Sequence, residues 1–458
     1  MVDIIRAAAR YKSLLAARMA WEPAWKDLAE HFLPLRWRSQ SDTETRPGRL
    51  NSRLMDSTGV LDMRTLAAGL HGGMTNPSRQ WFSFVPADRE SPASPEDMAR
   101  VESYLSSAEA AVSAALRRSN FYNTVHALYS DLGTFGTALM LETADAEGLN
   151  FELACPGDYV LDTDGKGRPD IFFRRIALTA RQLEQNFGGE SLPDTVRSVL
   201  MKPESVTRRF IVIHGVFPRE GGHSGSAAEN LPFASVYWME ETADLRGKPA
   251  VLKESGFCEF PAFAPRWSVS TGDVYGRSPA MDVLPDCRML QGMVTTLRKM
   301  QHKIADPPLA VDSALAANGV ELMPGGLNFV QSGRDASSAI AAIQQPQPAA
   351  LEHTMKGVEQ VREVIHAGLY ADLLKMMTDE YRSQVTAEEI SARESERLIL
   401  IGPVVERLEN ELLGPLIRRT VGIMQRAGAL PMPPPELDGG RGLSVEIRFR
   451  PLLGPGRA

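Results

Sequence analysis

Apolar residues along the chain follow two rhythms, and the change from one to the other divides it. Over residues 3–33 they recur every three or four positions, which predicts one or two helices. Trp21, Trp25, Leu28 and Phe32 there form a bulky stripe suited to packing against the body of the protein. The same spacing predicts helices over 52–70, ended by His71-Gly72-Gly73, over 95–118, and over 121–132, closed by Gly133. Asn76-Pro77 turns the chain into a short strand at 81–85. From Ala138 the period drops to two, predicting strands at 138–142, 151–153, 159–161 and 171–175, with Asp164-Gly165 as a hairpin turn. A short helix over 179–187 starts at Thr179. Strands follow at 208–217, 235–241 and 259–263, two of them separated by a glycine-rich loop at 220–228. Helices and antiparallel hairpins in this order make an α+β chain.

After the turn from Tyr275 to Pro279 helical spacing returns. One helix runs to about Lys303 and is stopped by Asp306-Pro307-Pro308, and a second runs over 349–377. Between them, residues 309–348 are rich in Gly, Ala, Ser and Gln, with β-like pieces at 309–311 and 327–330, and read as a small module protruding from two flanking helices. The best-marked helix comes next. Thr386 and Glu389 form a capping box, in which the hydroxyl takes a free N–H of the first turn and the carboxylate reaches back. Ile390, Leu398, Ile401, Val405, Leu408 and Leu412 then make one apolar stripe. Glu389, Arg393, Glu394, Arg397, Glu406, Arg407 and Glu411 fill faces expected to be wet or to meet a partner. Gly402-Pro403 and Gly414-Pro415 interrupt the run, and kinks or breaks are expected there. A proline-rich segment, 431–435, precedes a last strand at 444–450.

The length of 458 residues suits two or three domains with a large core, and 43% hydrophobic with 23% charged residues is an ordinary globular balance. No apolar run approaches a membrane span, and the amphipathic N-terminus lacks the features of a signal peptide. A formal net charge of −7 argues against a protein that grips nucleic acid over much of its surface, so contact with DNA would be local or weak. Two basic clusters qualify this: Arg36, Arg38, Arg46 and Arg49 in a polar loop, and Arg298, Lys299, His302 and Lys303 at a helix end. A solvated loop and dipole complementation explain them more simply. Cys155, Cys258 and Cys287 are odd in number and far apart, which suits a reducing compartment without a disulfide framework.

The candidate chemistry is weak. His71-Gly72-Gly73 is similar to the oxyanion loop of lipases, and Gly222-His223-Ser224-Gly225-Ser226 nearly makes a nucleophile elbow. The last glycine of that motif is missing, however, and no helix follows, so a serine hydrolase using Ser224 is only the alternative reading. Asp162 and Asp164 begin a calcium-loop pattern, but Lys166 and Phe173 occupy ligand positions and a hairpin turn explains it better. No phosphate loop, dinucleotide fingerprint or His-Glu-x-x-His is present, and neither enzymatic activity, a cofactor nor a metal is expected.

Four blocks in order do resemble a family, the head-to-tail connector or portal proteins of short-tailed phages. They run from Leu66 to Phe82 (LAAGLHGGMTNPSRQWF), Tyr275 to Pro285 (YGRSPAMDVLP), Asp306 to Leu309 (DPPL), and Thr386-Ala-Glu-Glu-Ile390 through Pro415-Leu-Ile417, over nearly the whole chain. The resemblance implies a portal-type subunit: an α/β wing at 1–279, stem helices at 280–304 and 350–377, a β-containing clip at 305–349, and a tunnel loop at 378–385. A long kinked wing helix at 386–430 and a C-terminal tail or vestigial crown at 431–458 complete it. It implies a ring of about twelve copies at one capsid vertex, assembled in the host cytoplasm and carried in the virion. Double-stranded DNA would be packaged and ejected through that ring. The implied partners are a packaging ATPase (terminase), capsid and scaffolding proteins and a tail adaptor, with no membrane, and another head-tail adaptor is the remaining alternative. Lys356, Lys375 and Arg382 are the candidates to face DNA, and the Thr386/Glu389 cap would fix where the tunnel loop ends.

Overall fold

The structure, a computed structural model, describes residues 2–34, 36–37, 54–86, 94–145, 147–201, 208–219, 230–243, 249–311, 313–317, 319–321, 340–342, 348–375, 400–437 and 445–450. Within these the chain is α+β. Helices α1 (Ile4–Arg18), α2 (Glu22–Phe32), α3 (Thr58–Met74), α4 (Pro95–Arg118) and α5 (Phe121–Phe135) form the first part of the body. The stripe predicted on α2 is its buried face, with Trp25, Leu28 and Phe32 enclosed in the main core and Trp21 packed at its edge.

Two helix ends differ from expectation. His71-Gly72-Gly73 does not end α3, which continues to Met74, because Gly73 and Met74 are buried and tertiary packing outweighs the low helix propensity of glycine. Nor does Gly133 close α5. It lies where a Cβ would come within 2.8 Å of Leu66 and Met63 on α3, so its role is to let two helices approach. The cap is Gly136, at φ 77°, where a side chain would also meet the Gly276 carbonyl at 2.3 Å.

The largest sheet is antiparallel, in the order β4 (Tyr159–Thr163), β5 (Pro169–Thr179), β6 (Arg209–Pro218), β7 (Phe233–Ala243), β8 (Pro249–Phe257). Tyr11 of α1 packs on one face with Val160, Phe173, Ile213 and Trp238. Helices α6 (Ala180–Phe187) and α7 (Asp194–Leu200) cover the other through Leu183 and Val196 against Val212, Met239 and Leu252. β8, unpredicted, carries Lys253, Glu254 and Ser255 among its apolar residues and is held by pairing with β7. The β4–β5 turn takes its left-handed residue at Gly167 and not at Gly165. Asp164 organises it by accepting the amides of Lys166 and Arg168 together with the Arg168 guanidinium, so its carboxylate is spent on the turn.

A second sheet has the order β3 (Gly148–Leu153), β2 (Met140–Asp145), β9 (Ala262–Phe263). The predicted strand at 259–263 is therefore two residues long, continued only by an isolated bridge from Arg266 to Thr137. Finally β1 (Phe82–Pro86) pairs antiparallel with β12 (Val445–Phe449), and Trp81 stacks on Phe449 at 6.4 Å, so the last strand returns to the beginning of the body.

Candidate functional site

The feature most distinct from this body is a pair of helices. α8 (Pro279–Ala305) starts at Ser278, whose hydroxyl accepts the Met281 amide. Leaving the body, α8 reaches β10 (Leu309–Val311), which is followed by the short helix α9 (Ser313–Ala317). The return is by β11 (Ile340–Ala342) and α10 (Pro348–Gly368). β10 and β11 pair antiparallel, Leu309 opposite Ala342, so the excursion between them is closed at its root by a ladder. The strand predicted at 327–330 lies outside the described residues. The helices are antiparallel: a Cβ on Gly368 would meet Val283 at 2.3 Å, and one on Gly357 would meet Met293 at 3.1 Å. Val283, Leu290 and Val294 pack in one core with Val358, Ile365 and Leu369.

Polar bonds fasten the root of this pair. Gln291 accepts the amides of Met55 and Asp56 at 2.7 and 2.9 Å, while Arg362 of α10 donates to Asp56 at 2.7 Å and His366 contacts Asp62 of α3. Burial alone would raise the Asp56 carboxyl, but hydrogen bonds from Thr58 and Arg362 hold it below the usual carboxylate range. Arg288 of α8 contacts Asp27 of α2. Towards the body the returning helix does not continue smoothly to 377. It breaks at Tyr370, a non-glycine residue at φ 56°, whose ring packs on Trp267 at 5.9 Å, and resumes as α11 (Ala371–Lys375).

A third helix crosses the body. It is helical over 400–408, passes through a π turn at Glu409–Leu413, and continues as α12 (Gly414–Arg426). Gly402-Pro403 and Gly414-Pro415 do not break it. Before Pro415, which has no N–H, the Gly414 amide reaches five residues back to the Glu409 carbonyl, and this wider turn absorbs the proline within a continuous helix. Of the predicted stripe, Ile401, Val405, Leu408 and Leu412 are buried, while Ile390 and Leu398 lie outside the described residues. Beyond it, charged side chains also meet partners of the body, Glu411 and Arg419 within it and Arg426 at its surface. Glu411, expected on a wet face, takes a fork from Arg266 at 2.8 and 3.2 Å as well as the Arg266 amide. Arg419 donates to the Glu259 and Glu142 carbonyls at 3.0 and 3.1 Å, Thr420 donates to Glu142 at 2.7 Å, and Arg426 grips Glu259 at 2.6 and 2.7 Å. Glu142 is fully buried, and burial raises its carboxyl to about 7 despite the Thr420 hydroxyl and the Arg419 charge. Its second oxygen lies 3.7 Å from Arg419 Nε, and among the described residues neither atom has a hydrogen-bond partner.

The sequence-predicted residues are not brought together. Lys356 is exposed on α10 and Lys375 ends α11, while Arg382, the loop at 378–385 and the Thr386/Glu389 cap lie outside the described residues. Arg36, read as part of a basic loop, is spent internally: its guanidinium forks onto the buried Asp131 at 2.9 to 3.1 Å. The Glu142, Glu259, Arg266, Glu411, Arg419 and Arg426 set escaped the sequence reading. Its one signal is Arg419 and Arg426 seven residues apart on one helix face.

Reactive groupings are poorly arranged for catalysis. His71, Gly72 and Gly73 lie inside α3, where backbone N–H groups are committed to the helix and do not form an oxyanion hole; Ser224 lies outside the described residues. Buried Ser235 stands 3.0 Å from His214 Nε2, but Arg174 Nε donates to His214 Nδ1 at 3.1 Å, so Nε2 carries the proton and donates to the serine, opposite to what a general base needs. Burial and the Arg174 charge keep that imidazole neutral. Among the described residues no group of three His, Cys, Asp or Glu side chains could hold a metal ion, and no helix is long and apolar enough to cross a membrane. None of the three cysteines is in a disulfide, and the Cys155 thiol donates to the Arg36 carbonyl at 2.7 Å.

The described residues thus combine an α+β body, an antiparallel helix pair and a helix stitched across the body by ion pairs. The chain belongs to the bacteriophage head to tail connecting protein family, whose profile matches residues 5–456. It is similar to a probable portal protein of Bordetella phage BPP-1, 34% identical over 450 residues that cover 97% of this chain and 78% of that protein. It is also similar to the portal protein of Salmonella phage epsilon15, 31% identical over 430 residues, 92% of this chain and 74% of that one.

Proposed function

We propose that this protein is a portal subunit: about twelve copies form a ring at one capsid vertex, through which double-stranded DNA is packaged and ejected and on which the packaging ATPase (terminase) and tail adaptor dock. The observation that carries this reading is the family match across residues 5–456, joined to two relatives named as portal proteins. The helix pair closed by the β10–β11 ladder supports a division into stem helices at 280–304 and 350–377 around a clip at 305–349, with the wing at 1–279, the tunnel loop at 378–385 and the long wing helix at 386–430. The pairing of β12 with β1 favours a C-terminal tail over a crown for 431–458. A net charge of −7 suits a conduit, since DNA must move past without being held. Lys356, Lys375 and Arg382 would touch it locally. The role is structural, in the virion, with capsid and scaffolding proteins as neighbours during assembly. Native mass measurement and negative-stain imaging of the full chain test the reading: a ring of about twelve subunits is expected, and a protein that stays monomeric at every concentration and in the presence of scaffolding protein overturns it.

A further inference from the structure

The two long helices bury one side each, and their other sides carry charge of opposite sense. On α8 the residues facing away from α10 follow helical spacing through Arg288, Gly292, Thr296, Lys299 and Lys303, all exposed. On α10 the side facing away from α8 carries Glu352, Lys356, Glu359 and Glu363, also exposed. Asp282 lies on the α8 side nearer the body, and Lys356 is the only cation of the α10 stripe.

The register of the pair sets these charges at matching heights. Val283 lies level with Gly368, and Met293 with Gly357. Ten residues up one helix thus answer eleven down the other, a rise of about 15 Å in each. By the same step Arg288 is level with Glu363 to within one residue and Lys299 lies within two residues of the level of Glu352, a gap that long side chains span, while Lys356 falls level with the uncharged Val294 and Thr295. Within one copy the charged stripes lie on opposite outer sides and cannot meet. Rotation about an axis running along the helices preserves height, so in a closed ring built on such an axis the α8 stripe of one copy would meet the α10 stripe of the next at the same level.

We infer that the uncovered sides of the helix pair are a head-to-tail contact between copies of this chain, registered by Lys299 of one copy against Glu352 of the next and by Arg288 against Glu363. The inference rests on the ring reading and names the faces that make the ring. Arg288 also contacts Asp27 in its own chain, so Lys299 and Glu352 are the cleaner pair to test.

The experiment is native mass measurement of the full chain over a concentration series for wild type, K299E, E352K and the double reversal K299E/E352K. Each single reversal sets like charges against each other and should raise the concentration for half-assembly at least about tenfold, less at high salt, where the repulsion is screened. The double reversal should return to within about threefold of wild type. Circular dichroism identifies any variant that fails to fold, and K299Q and E352Q then replace it, with a smaller rise in the same direction expected. If wild type itself forms no ring, the portal reading fails and this inference with it. If wild type assembles and the single reversals assemble equally well, or the folded double reversal does not recover, the ring stands and these faces are not its contact.

Discussion

The helix pair and the crossing helix begin from the same apolar rhythm and end in different surroundings. α8 and α10 bury one side each and leave charged residues such as Lys299 and Glu363 in solvent. The crossing helix keeps only a narrow exposed strip, through Pro403, Glu406, Asn410 and Arg418: Ile401, Leu408 and Leu412 face the core, and Glu411, Arg419 and Arg426 are held by Arg266, Glu142 and Glu259 of the body. An apolar stripe shows which side a helix buries first and says nothing of the rest. The crossing helix is part of the body, whereas the pair keeps its outer faces available to another chain.

The contrast breaks most readily at Arg419. Replacing it with alanine strands Glu142 and leaves Glu259 with Arg426 alone, and should cost about 3–5 kcal/mol in urea or thermal unfolding above neutral pH, where Glu142 is ionised, because a buried carboxylate loses its compensating cation. A loss no greater than that of an exposed arginine such as Arg298 would mean that the charges do not stitch this helix down.

Glu142→Gln sharpens the picture through pH. The folded carboxyl sits at about 7, above its ordinary 4.5, so its contribution is fully present below pH 4.5 and is lost as pH rises through about 7. Relative to the glutamine variant, wild type should therefore lose up to about 3 kcal/mol between those limits. Parallel curves of melting temperature against pH for the two proteins would rule this out.

The smallest effect is expected on the bare side of the pair. A Cβ at Gly292 would meet nothing within 4 Å, so Gly292→Ala should stabilise the subunit by about 0.5–1 kcal/mol through helix propensity alone. Destabilisation of the isolated subunit would show that this face is covered within one chain.

Much of the fold was legible because local signals agreed with the packing. Trp25, Leu28 and Phe32 read as a buried stripe and are one, and the strand predicted at 171–175 lies within β5. Glycine was the weakest guide. Gly133 and Gly136 lie three residues apart and look alike in sequence, yet one spaces two helices and the other ends one, a difference set by the positions of Met63, Leu66 and Gly276. Proline was legible only in part: Pro415 signals a kink or a break, and a single π turn accommodates it inside a continuous helix. The ionic set was the least legible, since Glu142 and Thr420 are 278 positions apart.

The sequence by itself determined the α+β character, the apolar stripes of the helix at 22–32 and of the crossing helix, the excursion between two helices, and the family, whose ordered blocks run from Leu66 to Ile417. These follow from short-range periodicity, turn residues and motif order, which need no knowledge of distant neighbours. Only the tertiary structure decided which charges are surface and which are internal: that Arg36 closes on Asp131, that Glu411 and Arg419 turn inward, and that Lys299 and Glu352 remain outside. A charged side chain is stable in either setting provided a partner or water compensates it, and that partner is supplied by the fold.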